Sequence, residues 1–104
     1  MKKGYYIYFD KSKGKCPPCD VVEPYVDRLI NDGYEIEKIT RDEYAERYDA
    51  KAPMTPRIKV EGDDELYQVY FREDNVDVYF EYNVEDIYER IKVLLDKLKF
   101  MTIL

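Results

Sequence analysis

The chain has 104 residues, 45% of them hydrophobic. That is one domain with the material for a real core, since roughly 65% of the unfolded surface can be buried at this size. A formal net charge of −6 argues against a nucleic-acid or anionic-membrane binder, because both need a basic face. The absence of histidine excludes His-dependent triads, His general bases and His metal ligands.

The residues 5–9, Tyr-Tyr-Ile-Tyr-Phe, are β-branched and aromatic and predict a central strand ending at Asp10. Lys11 to Lys15 is a short polar loop. From about Pro18 the pattern turns helical, with Val22, Val26, Leu29 and Ile30 as one apolar stripe. This helix should stop near Asn31-Asp32-Gly33, where Gly33 can take the left-handed cap conformation. Tyr34 to Ile39 reads as a second strand. Thr40 is then an N-cap with Glu43 as its capping-box partner, opening a helix from Arg41 to about Tyr48. After a loop from Asp49 to Thr55, Pro56 precedes a strand over Arg57–Glu61. Gly62-Asp63-Asp64 makes a hairpin turn into a strand over Leu66–Arg72. A turn at Asp74-Asn75 leads to a strand over Val76–Tyr82. Asn83 caps a last helix over about Val84–Lys99, with Ile87, Ile91, Leu94, Leu95 and Leu98 on its stripe. This order predicts an α/β domain, a mixed sheet of four to five strands with helices on both faces and the first two strands parallel.

Twelve tyrosines supply much of the core. Each ring buries well, but its hydroxyl needs a partner, so many should lie half in the core with the hydroxyl at the surface. No apolar run approaches the roughly 20 residues of a membrane span. The apolar stretch after Lys2-Lys3 breaks at Asp10, too short for a signal peptide. The expectation is a monomeric cytoplasmic protein.

Cys16-Pro17-Pro18-Cys19 lies between a predicted strand and a predicted helix. A thiolate at a helix N-terminus is stabilised by the dipole and by free backbone N–H groups, so its pKa falls. Cys16 is then the exposed nucleophile, and Cys19, one turn in, resolves the mixed disulfide. The prolines supply no N–H, so only Cys19 and later residues can donate amides to the Cys16 sulfur. Lys11, Lys13 and Lys15 precede Cys16 and form a local positive island that favours the thiolate. Alternatively, they are a solvated loop without a role. The cysteine pair has two further readings: half of a metal site, which lacks the other two ligands a zinc needs, or a structural disulfide, which would constrain little because its loop is so short.

These residues resemble the thioredoxin superfamily across nearly the whole chain. Pro24, five residues after Cys19, matches the family's first-helix proline. Met54-Thr55-Pro56 before Arg57-Ile58-Lys59-Val60 is similar to its cis-proline ahead of a strand. The resemblance implies that Thr55 and Pro56 face the cysteines and pair with an extended substrate. Pro53 competes for this place, and a trans proline opening an edge strand is the plainer alternative. Asp10, six residues before Cys16, and Lys38 on the next strand match the spacing of the family's buried Asp and nearby Lys, a candidate proton relay to Cys19. A solvated Asp and a surface Lys are the alternative.

Lys13 and Thr55 sit where glutaredoxins carry Lys and Thr, and the Phe9-Asp10 loop ending at Lys15 resembles short phage-type glutaredoxins. Lys15 stands where thioredoxins have Trp, and the pair between the cysteines is Pro-Pro rather than Gly-Pro. The glutaredoxin Gly-Gly and Asp that hold glutathione have no counterpart here. The resemblance implies a thioredoxin-like fold and a disulfide reductase with no bound cofactor, acting on disulfide-containing proteins such as ribonucleotide reductase. Either glutathione or a thioredoxin reductase would return the electrons. Lys13, Lys15, Arg57 and Thr55 point to glutathione as a usable but not tightly held reductant. A different class of function stays open, a non-catalytic binding module on the same scaffold, with Glu73–Asn83 as a partner-binding edge or dimer contact. One more strand covering the sheet is the plainer account of that stretch.

Overall fold

A computed structural model describes residues 2–70 and 86–103, with side chains of the second segment as far as residue 96. Its central strand is β1, Gly4–Tyr8. On one side β1 pairs parallel with β2, Ile36–Thr40, in the register Gly4 to Ile36 and Tyr8 to Thr40. On the other it pairs antiparallel with β3, Arg57–Val60, with Ile7 opposite Arg57. β4, Leu66–Tyr67, pairs antiparallel with β3 at the edge. The described sheet is therefore mixed and four-stranded, ordered β2-β1-β3-β4. Among the described residues three α-helices accompany it: α1, Pro17–Asn31; α2, Arg41–Arg47; and α3, Ile87–Ile103.

Successive strand residues point to opposite faces, and this divides the core in two. Tyr6, Ile36, Ile58 and Val60 join Val22, Val26 and Leu29 of α1 and Ile91, Leu94 and Leu95 of α3 in the larger cluster. Ile7 and Ile39 point the other way and are closed over by Tyr44 of α2. Gly4 makes the first packing possible, since a Cβ there would lie 2.6 Å from Leu95 Cδ2.

Local signals explain the helix ends. α1 closes in a Schellman motif: Gly33, at φ 101°, donates to the Ile30 carbonyl and Tyr34 to that of Leu29. Tyr34 is thereby spent on the cap, which is why β2 starts at Ile36 and not at Tyr34. Thr40 Oγ1 accepts from the Glu43 amide at 3.1 Å and starts α2. Pro24 sits inside α1, where it gives no N–H to the preceding turn.

Several boundaries differ from the sequence expectation. Ile30 is 38% exposed, because the 100° step from buried Leu29 carries it past the edge of the core-facing stripe. β4 leaves the ladder after Tyr67, while Val69 still buries its side chain in the core. Among the described residues α3 starts at Ile87, where the Asp86 carboxylate accepts the Tyr88 amide at 2.9 Å and so caps the helix; Val84 lies outside them. Asn83, the predicted strand over Val76–Tyr82, the Glu73–Asn83 stretch and the Leu98 side chain lie outside the described residues.

The tyrosines behave mostly as amphipathic wedges. Tyr8, Tyr34, Tyr67, Tyr70 and Tyr88 pack partly buried against the larger cluster, and the hydroxyls of Tyr34, Tyr67 and Tyr88 bond Asp96, Asp63 and Asp32. Tyr6 and Tyr44 are buried core residues instead, Tyr6 fully. Among the described residues, no helix is long and apolar enough to cross a membrane.

The larger cluster should dominate stability. Leu29, wholly buried where α1 meets the sheet, should cost about 2–5 kcal/mol when replaced by Ala. Urea unfolding should show a lowered midpoint with an unchanged slope.

Candidate functional site

Cys16 is the N-cap of α1 and Cys19 lies in its first turn. Their sulfurs are 2.03 Å apart, a disulfide. The two cysteines differ in environment. Cys16 is half-buried, whereas Cys19 is 3% exposed. The Cys19 amide donates to Cys16 Sγ at 3.2 Å. Pro17 and Pro18 occupy the two positions before it and have no N–H to give, so this is the first helix amide available to that sulfur.

Beneath the disulfide lies Tyr6. Its hydroxyl donates to the Cys19 carbonyl at 3.0 Å, a buried bond across 13 residues of sequence. Burial pushes the Tyr6 hydroxyl pKa well above its ordinary range, and the carboxylates of Glu23, Asp20 and Asp27 push the same way. The sequence reading missed this contact. Its only trace is the alternation that turns Tyr6 to the α1 side of the central strand.

Thr55 and Pro56 come to the cysteines from the chain entering β3. The Thr55–Pro56 peptide bond is cis, and Thr55 Oγ1 is 3.8 Å from Cys16 Sγ. Beside this contact opens a cleft of about 320 Å³, lined by Pro18, Met54 through Arg57, Gln68 and Tyr70. Met54 is 75% exposed. Gln68 and Tyr70 were not singled out in the sequence, since their place at the cleft depends on the β3–β4 hairpin.

The other candidate residues are placed differently. Asp10 faces its own loop: its carboxylate accepts from the Ser12 amide at 2.9 Å and the Ser12 hydroxyl at 2.8 Å. These bonds hold its pKa below the usual carboxylate range. Lys38 pairs with Asp27 and Glu23 of α1. Burial works to lower the Lys38 ammonium pKa, but the two carboxylates outweigh it and keep the pKa raised. Asp10 and Lys38 therefore form no pair with each other. Asp27 and Glu23, the latter also 3.5 Å from Lys11, are the acids that meet Lys38.

The lysines before Cys16 do not form an uncompensated island. Lys13 pairs with Asp42 at 2.8 Å, and Lys11 lies between Asp20 and Glu23. Those carboxylates come from α1 and α2, so only the fold brings them to the loop. Lys15 is exposed and pairs with no carboxylate among the described residues. Arg57 donates to the Pro56 carbonyl at 2.8 Å, and burial lowers its pKa. Among the described residues, no group of three or more Cys, Asp or Glu is placed to hold a metal ion.

Neither a protein-family model, nor a curated protein, nor a solved structure matches the chain.

The Tyr6 bond makes a defined prediction. Tyr6→Phe should cost about 1 kcal/mol near neutral pH, the usual net worth of one hydrogen bond. A hydroxyl whose folded pKa is raised contributes fully below its unfolded value of about 10 and loses that contribution as pH rises through the folded value. The gap between wild type and variant should therefore narrow above pH about 10. Urea midpoints of both proteins across this range would measure it.

Proposed function

We propose that the chain is a thiol–disulfide oxidoreductase with a thioredoxin-like architecture, reducing protein disulfides through Cys16 and Cys19. The observation that carries this reading is the asymmetry of the pair at one helix start: a half-buried Cys16 whose sulfur is bonded by the Cys19 amide, and a buried Cys19 one turn behind it. A structural crosslink has no use for such asymmetry, because a loop this short removes little unfolded-state entropy. Thiol exchange needs it, since one sulfur must meet the client and the other must wait.

In the reduced protein, the Cys16 thiolate attacks one sulfur of a client disulfide. A Cys16–client bond forms as the client's own S–S bond breaks, and the leaving thiolate takes a proton from water. Cys19 loses its proton to solvent and attacks Cys16 Sγ. The mixed disulfide breaks, the Cys16–Cys19 disulfide closes, and the second client sulfur leaves to be protonated. Two electrons have then passed to the client. A thiol donor, glutathione or a reductase of the thioredoxin type, must return them, which suits a reducing compartment such as the cytoplasm. Thr55 beside Cys16 offers its backbone to an extended client segment, as an added strand would pair.

Insulin reduction with dithiothreitol tests the activity. Wild type should accelerate precipitation of the insulin chains, and Cys16→Ser should fall to the uncatalysed background. Cys19→Ser should instead accumulate a client adduct. In the reduced protein, iodoacetamide should label Cys16 before Cys19, read by peptide mapping against pH. Labelling that begins at Cys19, or equal rates for wild type and Cys16→Ser, would overturn the assignment.

A further inference from the structure

The cleft beside the disulfide has a chemistry that the exchange reaction does not use. Pro18, Met54, Pro56 and Tyr70 make most of its wall apolar, and Arg57 puts a cation on it. Among the described residues the guanidinium makes one bond, to the carbonyl of Pro56, another cleft residue. A guanidinium carries five N–H donors in a planar fork, so most of this one is unused. No carboxylate among the described residues pairs with it, whereas Lys11, Lys13, Lys38 and Arg47 each have one or more. Half-buried Arg41 and buried Lys59 also lack a carboxylate partner among the described residues, but Arg57 is the cation that lines the cleft. Burial lowers its pKa.

We propose that Arg57 selects client proteins that carry an acidic residue beside the attacked cysteine, receiving that carboxylate in the cleft. The inference rests on the redox reading for the position of the client cysteine, but its chemistry is that of the cleft alone. Thr55, two residues before Arg57, holds its hydroxyl 3.8 Å from Cys16 Sγ. A client segment running along Thr55 advances about 3.3 Å per residue. Its side chains one or two residues from the cysteine therefore reach the level of Arg57. The planar fork fits a carboxylate in two parallel bonds. Exposed Met54 supplies apolar contact at the cleft rim.

The test measures binding separately from turnover. Two unreactive peptides are made with Ser in place of the client cysteine, one with Glu and the other with Gln at the residues on both sides of it. Each is titrated into the oxidised protein and followed by NMR. Wild type should bind the Glu peptide about fivefold more tightly, the scale of a partly exposed ion pair. Arg57→Gln should bring the ratio to about one, and Arg57→Lys should leave a smaller preference. Salt at about 0.5 M should remove the preference in wild type, which tests the charge even if a variant fails to fold. Equal binding of the two peptides, no binding of either, or a preference that survives in Arg57→Gln would overturn the proposal. S-methylglutathione is the small-molecule arm. If it displaces the Glu peptide and binds as tightly, the cleft serves a small thiol and the acidic-client proposal falls. Because neither Ser peptide carries a thiol, failure of insulin reduction would sink the redox reading without deciding this one.

Discussion

The site depends on one buried hydrogen bond, from the Tyr6 hydroxyl to the Cys19 carbonyl. It ties the middle of the central strand to the first turn of the helix that begins at Cys16. The Tyr6 ring is itself part of the larger core, among Val22, Val26, Ile58 and Ile91. The packing that stabilises the domain is therefore the packing that places the cysteines. A hydroxyl buried this deeply is costly unless it is satisfied, and the Cys19 carbonyl satisfies it. Moving the start of α1 away from the sheet would break the bond and leave the hydroxyl stranded.

Parallel pairing of β1 and β2 has a second consequence. It sends α1 across one face of the sheet, while α2 returns to the other and closes over Ile7 and Ile39 with Tyr44. The start of α2 then lies near the loop before Cys16, and Asp42 takes up Lys13. On the opposite side, Glu23 and Asp27 of α1 take up Lys38 of β2. These pairs are partly exposed and individually worth little to stability. Their larger effect is on the field at the site. They cancel lysine charge that would otherwise face the disulfide, and leave Lys15 and Arg57 as the cations near it that pair with no described carboxylate.

The site thus combines two kinds of environment. Cys19 sits in the interior against Tyr6, and Cys16 sits half-buried beside Thr55 and the cleft. Burial keeps the second sulfur from a client, while the helix start supplies an amide to the first. In the proposed reaction this difference in access, more than a large charge cluster, orders the two steps of exchange.

Much of this was legible in the amino-acid sequence, because it rests on local rules. The β-branched and aromatic run at residues 5–9, the stripe of Val22, Val26 and Leu29, the cap at Thr40 and the cap signal at Gly33 each act within a few residues. The structure places those elements where the pattern put them. The Cys-Pro-Pro-Cys spacing at a strand-to-helix junction likewise required no knowledge of distant contacts. What only the tertiary structure decided are contacts between residues far apart in the chain. Tyr6 meeting Cys19, Asp42 meeting Lys13 and Glu23 meeting Lys38 span 13, 29 and 15 residues. Asp10 shows the same limit from the other side. Its spacing suited a relay with Lys38, but a nearby Ser12 offered two hydrogen bonds at the cost of a short turn. A carboxylate goes to the donors that the folded backbone brings to it, and spacing along the chain does not encode where the backbone will return.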